Sequence, residues 1–288
     1  MVEPQTHTLD APGAVLAYDV RSNAASTEPI LLLIGSPMGA EGFVTLAGHF
    51  TDRTVVTYDP PAAGRSKRTD GASQTTVEEQ ADDLHRLIGA LGGGPVDMFA
   101  SSGGAVNALG LVARNPEQVR TLVAHESPTA QVLPDREAVL AVCAGIKETY
   151  LREGFGPAMA KFIAYVSYQG TIPAGFADQP GPDPATFGLP AEDDGSRDDP
   201  LLCLNMPSCP AYQPDFGALR SAPTRIVLGV EADSANVMPG RAAAAVAERL
   251  ETTPVTFPGG HGGFARHEYE STNDPDAVAT TLRTILTG

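Results

Sequence analysis

The sequence predicts an α/β fold: a mostly parallel central sheet with helices on both faces. Three observations predict it. Apolar-rich runs of strand length occur at residues 30–34, 54–58 and 96–100, the first of them unbroken, and runs without strict alternation are what strands buried on both faces require. Helix-length amphipathic segments separate these runs, as at residues 76–91, and strands alternating with helices build parallel sheets. At 288 residues the chain is long enough to close one large core of this kind, with or without an added lid.

Residues 15–20 follow the turn signal Pro12-Gly13 and read as a strand. Ile30-Leu31-Leu32-Leu33-Ile34 is a buried strand ending at Gly35, and residues 54–58 are another, ending in Asp59-Pro60-Pro61-Ala62-Ala63-Gly64-Arg65-Ser66. The helix at 76–91 carries Val77, Ala81, Leu84, Leu87, Ile88 and Leu91 on one side and stops at Gly92-Gly93-Gly94-Pro95. A strand through 96–100, a helix from about 104 to 113 and a strand at 121–126 follow. The alternation then breaks. Helical patterns at 136–151 and 157–168 precede a Pro-, Gly- and Asp-rich passage from 170 to 200. Residues 130–220 therefore read as a helical lid inserted after the strand ending at Glu126, into a core formed by 1–129 and 221–288. Strand logic resumes at 224–230, followed by a helix at 240–250, a strand at 254–257 and a last helix at 276–286.

Composition narrows the function classes. A formal net charge of −16 argues against nucleic acid, whose phosphates would be repelled, and against anionic membranes. Three cysteines, Cys143, Cys203 and Cys209, without metal-type spacing, point to a reduced protein; a Cys203–Cys209 bridge is the alternative. The opening Met1-Val2-Glu3-Pro4-Gln5 has neither a basic nor an apolar leader region. No apolar run reaches the ~20 residues that span a bilayer. The expectation is a soluble cytoplasmic protein, monomer or homodimer, acting on a small molecule.

The chemistry is concentrated at Val96-Asp97-Met98-Phe99-Ala100-Ser101-Ser102-Gly103-Gly104-Ala105, where a strand runs through serines and glycines into a helix. A nucleophilic serine on such a sharp turn needs small residues two positions to either side, the Gly-x-Ser-x-Gly pattern. Centring the turn on Ser102 puts Ala100 and Gly104 there; centring it on Ser101 would put Phe99 there. Ser102 is the candidate nucleophile. A serine hydroxyl needs a base, an acid to orient that base, and donors for the oxyanion. The base is His261, in Pro258-Gly259-Gly260-His261-Gly262-Gly263, with His267 the weaker alternative. For the acid, Glu231 or Asp233, after the strand at 224–230, competes with Glu126, at the end of the strand after the nucleophile's helix. Spacing leaves both open. The expected oxyanion donors are the N–H groups of Gly103 and Ser36, with Met38 in reserve and Pro37 excluded for want of an N–H. Phe162, Tyr165, Tyr168 and Phe187 of the lid, with Met38, are the candidates to line a substrate pocket. No metal or organic cofactor is called for.

The segment from Asp59 to Ser66 resembles the Asp-x-Pro-Gly-x-Gly-x-Ser turn of α/β-hydrolases, and the motif order resembles that superfamily over nearly the whole length. The resemblance implies the α/β-hydrolase fold. A narrower likeness lies in Ser101-Ser102-Gly103-Gly104, Arg114-Asn115-Pro116-Glu117-Gln118-Val119-Arg120 and His125-Glu126-Ser127-Pro128. These are similar to the zearalenone lactonase family, with its Ser-Ser-Gly-Gly elbow and His-Glu-Pro-Pro strand end; Ser127 replaces the first proline here. That family takes its acid from the glutamate of the second motif, which implies a triad of Ser102, His261 and Glu126. The family's lid supplies a tryptophan to its aromatic lactone, whereas this chain has none, so what carries over is hydrolysis of a related ester or lactone. The same groups could also serve acyl transfer, cyclisation or C–C hydrolysis, or survive in a receptor-like binding protein.

Overall fold

The computed structural model describes residues 3–72, 74–265 and 273–288. Its sheet strands are β1 (Gln5–Ala11), β2 (Ala14–Arg21), β3 (Leu31–Ile34), β4 (Val55–Tyr58), β5 (Lys67–Arg68), β6 (Val96–Ser101), β7 (Val119–His125), β8 (Arg225–Glu231) and β9 (Val255–Phe257). The order across the sheet is β1-β2-β4-β3-β6-β7-β8-β9, with β5 paired to β2. β2 pairs antiparallel with β1, β4 and β5; from β4 through β9 every pairing is parallel.

The unbroken apolar run at 30–34 means what the sequence suggested. All four residues of β3 are fully buried and alternate between two cores. Leu32 and Ile34 face one side, with Leu84, Leu87 and Ile88 of α2 (Val77–Ala90) and Leu109 and Val112 of α3 (Gly103–Arg114). Leu31 and Leu33 face the other, with Phe43, with Leu46 of α1 (Val44–Gly48), and with Val278 and Leu282 of α9 (Pro275–Thr287). A side-chain period of two sends neighbours to opposite faces, so each face needs its own cover. α2 opens on a capping box: Thr76 Oγ1 accepts from Glu79 N–H, and Glu79 Oε2 accepts from Thr76 N–H.

Between β7 and β8 lie α4 (Arg136–Glu153), α5 (Phe155–Val166), a π-helical turn at Pro200–Asn205, α6 (Met206–Ser208) and α7 (Phe216–Ser221). Val139, Val142, Ile146, Tyr150, Leu202 and Leu204 build an apolar cluster there that also takes in Met238 and Ala242 of α8 (Met238–Arg249). Phe216 and Leu219 of α7 join the sheet-side core instead. Cys143 and Cys209 are buried free thiols, so a Cys203–Cys209 bridge is not formed. Among the described residues no helix is long and apolar enough to cross a membrane.

Two differences from the sequence reading matter. β1 has no apolar run because it is an edge strand, with Gln5 through Thr8 exposed. β7 ends at His125 rather than Glu126, and β8 runs on to Glu231. Those single-residue shifts set the site described below.

At the opposite ends of the strands, Asp97 is wholly buried and receives hydrogen bonds from Arg53, itself 5% exposed, and from both Nε and Nη2 of Arg120. Removing one partner of a buried ion pair strands the other's charge. Asp97→Ala is expected to cost about 3–5 kcal/mol, read as a lowered urea midpoint in equilibrium unfolding.

Candidate active site

Ser102 sits between β6 and α3 with φ +57° and ψ −129°. That conformation costs a non-glycine residue about 1–3 kcal/mol, so the neighbours must hold it. Ser102 N–H donates to His125 C=O (2.9 Å), tying the turn to the end of β7. The steric argument for small neighbours has a direct counterpart. A Cβ on Gly104 would fall 2.9 Å from the backbone of Gly35, and Ala100 is fully buried under the turn. Ser101 points the other way, 1% exposed, with Oγ 3.0 Å from His125 Nδ1. Of the two adjacent serines, Ser102 is the one that lines a cavity.

Glu126 follows β7 with φ +46° and is fully buried. Its Oε2 accepts from His261 Nδ1 at 2.6 Å, and its Oε1 accepts from Glu231 N–H (3.0 Å) and from the Ser234 hydroxyl. Burial pushes the carboxyl up, but the hydrogen bonds from His261 and Ser234 and the two nearby imidazoles outweigh it and hold it below the ordinary value. His261 stands on the loop after β9, its side chain 42% exposed, and lines the same cavity as Ser102. With Nδ1 engaged by Glu126, Nε2 is the ring nitrogen left for chemistry.

The two other carboxylates weighed as the acid lie elsewhere. Glu231 ends β8 fully buried and hydrogen-bonds His125 Nε2 (2.8 Å), not His261. Asp233 is exposed beyond the strand end, its backbone N–H donating to Gly259 C=O. His267 lies outside the described residues.

The cavity, about 210 Å³, has Ser102, Gly103, Ser36 and His261 in its wall, and the remainder is largely apolar. Phe162 and Tyr165 of α5 line it. Three residues expected there do not. Tyr168, just past α5, packs edge-on to Phe176 (5.1 Å) over a separate groove. Phe187 is 39% exposed in the proline-rich passage. Met38 folds back onto Gly35 and Gly42, where a Cβ on Gly42 would strike its sulfur, and packs against the α9-side core. Gly103 opens α3, and Ser102 offers no side-chain cap, so the first N–H groups of that helix remain available to an anion. Ser36 is 3% exposed, its Oγ 3.1 Å from Gln80 Oε1 and 3.2 Å from Asn205 Oδ1.

Sequence reasoning missed Asn205, Met206, Val237 and Met238, which also wall the cavity. One signal was available: Asn205 is the polar break in the run Leu201-Leu202-Cys203-Leu204-Asn205-Met206, at the end of the π-helical turn, and π-helical insertions recur at functional sites. Among the described residues no group of three or more His, Cys, Asp or Glu side chains could hold a metal ion.

A model of the alpha/beta hydrolase fold family matches residues 28–165. An uncharacterized hydrolase of Bacillus subtilis (strain 168), YraK, is 31% identical over 269 residues, covering 91% of this chain and 92% of the relative. Among solved structures, the chain resembles MGS-M2, an alpha/beta hydrolase enzyme from a Medee basin deep-sea metagenome library (TM-score 0.71, 15% identity, 98% of each chain). It also resembles a thermophilic esterase of Thermogutta terrifontis (TM-score 0.65, 19% identity, 99% of this chain and 98% of that one).

The close approach of Gly104 to Gly35 makes that glycine a sharp probe of the turn. Adding one methyl group against backbone 2.9 Å away forces main-chain movement. Gly104→Ala is expected to lose about 1–3 kcal/mol, measured by chemical denaturation.

Proposed function

The chain belongs to the alpha/beta hydrolase family, and we propose that it is a serine hydrolase cleaving a carboxylic ester or lactone of an apolar small molecule. Ser102 is the nucleophile, His261 the base and Glu126 the acid. The observation that carries this reading is the 2.6 Å hydrogen bond from His261 to a fully buried Glu126, with the ring on the wall of the cavity that Ser102 lines. An apolar wall favours an uncharged substrate and excludes the water that would weaken each polar contact inside.

His261 Nε2 takes the hydroxyl proton as Ser102 Oγ bonds to the carbonyl carbon. The carbonyl oxygen becomes an oxyanion, held by the N–H groups of Gly103 and Ser36. Glu126 stabilises the imidazolium and keeps Nδ1 protonated. Collapse breaks the ester bond, the leaving alkoxide taking the proton from His261. Water then attacks the acyl-enzyme with His261 again as base, releasing the acid and restoring Ser102. The helical segment at 130–220 acts as a cap: α5 and the π-helical turn supply Phe162, Tyr165 and Asn205 to the cavity.

Two measurements test this. A fluorophosphonate probe should label the wild type and not Ser102→Ala; an unlabelled folded wild type would overturn the reading. On a panel of esters and lactones, Glu126→Gln should lower kcat/KM by roughly 10³–10⁴-fold, while Asp233→Asn stays near wild type. The reverse order would move the acid to the later strand.

A further inference from the structure

Behind the proposed triad lies a second Ser-His-Glu arrangement that the reaction does not touch. Ser101 Oγ is 3.0 Å from His125 Nδ1, and His125 Nε2 is 2.8 Å from Glu231 Oε1. The three side chains are 1%, 0% and 0% exposed. They close β6, β7 and β8 respectively, and each neighbours a working part of the site. Ser101 precedes Ser102, and His125 precedes Glu126. The backbone N–H of Glu231 binds the Glu126 carboxylate. His125 also accepts the Ser102 N–H on its own carbonyl. The side-chain row thus spans the strand ends from which the two positive-φ residues of the site, Ser102 and Glu126, depart.

The protonation of this row follows from its surroundings. Glu231 Oε2 is buried without a hydrogen-bond partner among the described residues, and a Cβ on Gly263 would fall 2.9 Å from it. A carboxylate anion there would be stripped of water and left with a bare oxygen, whereas a neutral acid leaves only a carbonyl unpaired. The charged or titratable groups facing Glu231 are His125 and Glu126 at the end of β7, His261 on the loop after β9, and Asp233 beyond β8 itself. Glu126 already carries the negative charge, and two adjacent buried carboxylates do not both ionise readily. Burial and that neighbouring charge push Glu231 up to about 9, and burial pushes His125 down to about 4.

We propose that Glu231 is a positioning residue that keeps its proton, donating it from Oε1 to His125 Nε2 while His125 Nδ1–H donates to Ser101. The result is an uncharged strut beneath Ser102 and Glu126. Its function rests on the proposed hydrolase reading; its existence does not. An uncharged strut holds both strained residues in place yet leaves Glu126 the single anion in the floor of the site. A second anion would bind the proton on His261 and remove the base.

Infrared difference spectroscopy of the full-length protein with ¹³C-labelled glutamate decides the protonation. The expected result is a protonated-carboxyl band at pH 7 that fades near pH 9 and is missing from Glu231→Gln. A band unchanged in Glu231→Gln, or none at all, overturns the proposal. Stability gives a second readout. The folded state holds this proton above the ordinary carboxylate range, so wild-type Tm should fall relative to Glu231→Gln as pH rises from 5 to 9. A constant difference overturns it.

For activity, Gln can still donate to His125. Glu231→Gln should therefore keep kcat within about tenfold, and Glu231→Ala should lower kcat further with KM little changed. Equal losses in both variants would refute the positioning role. A wild type with no ester or lactone turnover would instead refute the hydrolase reading, with the infrared band still deciding the strut.

Discussion

A carboxylate taken wholly out of water must be surrounded by donors, and Glu126 is the point on which this site is organised. Its carboxyl oxygens collect an imidazole N–H from the loop after β9, a main-chain N–H from β8 and a hydroxyl from Ser234. The anion is therefore also a junction where three segments distant in sequence must meet. Charge-assisted hydrogen bonds are the stronger kind, and leaving any of these donors unmade would expose a buried charge. The positive φ at Glu126 is the local cost of bringing a strand-end side chain to that junction.

The sheet makes such a junction attainable. Parallel pairing aligns Ser101 with His125 and His125 with Gly229, so the chain leaves β6 and β7 at one level and β8 two residues further on, at Glu231. Ladder hydrogen bonds fix that level to within one residue, since a shift of one would reverse every side chain. This is why β7 ending at His125 matters. His125 still obeys the sheet and turns inward among Phe99, Phe257 and Phe264. Glu126, the first residue past β7, keeps its N–H on Gly229 C=O but takes a positive φ that turns its side chain to the site. The adjacent pair Ser101-Ser102 divides in the same way.

The cavity wall depends on a different constraint. Its apolar part comes from α5, the π-helical turn and the start of α8, whose side chains also share one hydrophobic cluster. Asp199 caps the π-helical turn by accepting from Leu201 and Leu202 N–H, and its own N–H donates to the Tyr150 hydroxyl. A polar anchor thus orients an apolar run over the serine. Arg241 ties the same region down from α8, with Asp135 on one side and Gly170 on the other.

Sequence by itself determined the order and type of the central elements, because period-two and period-3.6 hydrophobic patterns are local. It also selected Ser102 over Ser101, because crowding at a tight turn is set by residues two positions away, and it marked His261 by its glycines. It could not place β1, whose exposed edge needs no apolar pattern, nor predict that Tyr168, Phe187 and Met38 turn away from the cavity. Rotamer choice in a loop or cap depends on packing partners far along the chain. Where spacing left Glu126 and Glu231 both open, the tertiary structure gives them different partners. Both are glutamates at strand ends, and only the register of β7 against β8 assigns one to His261 and the other to His125.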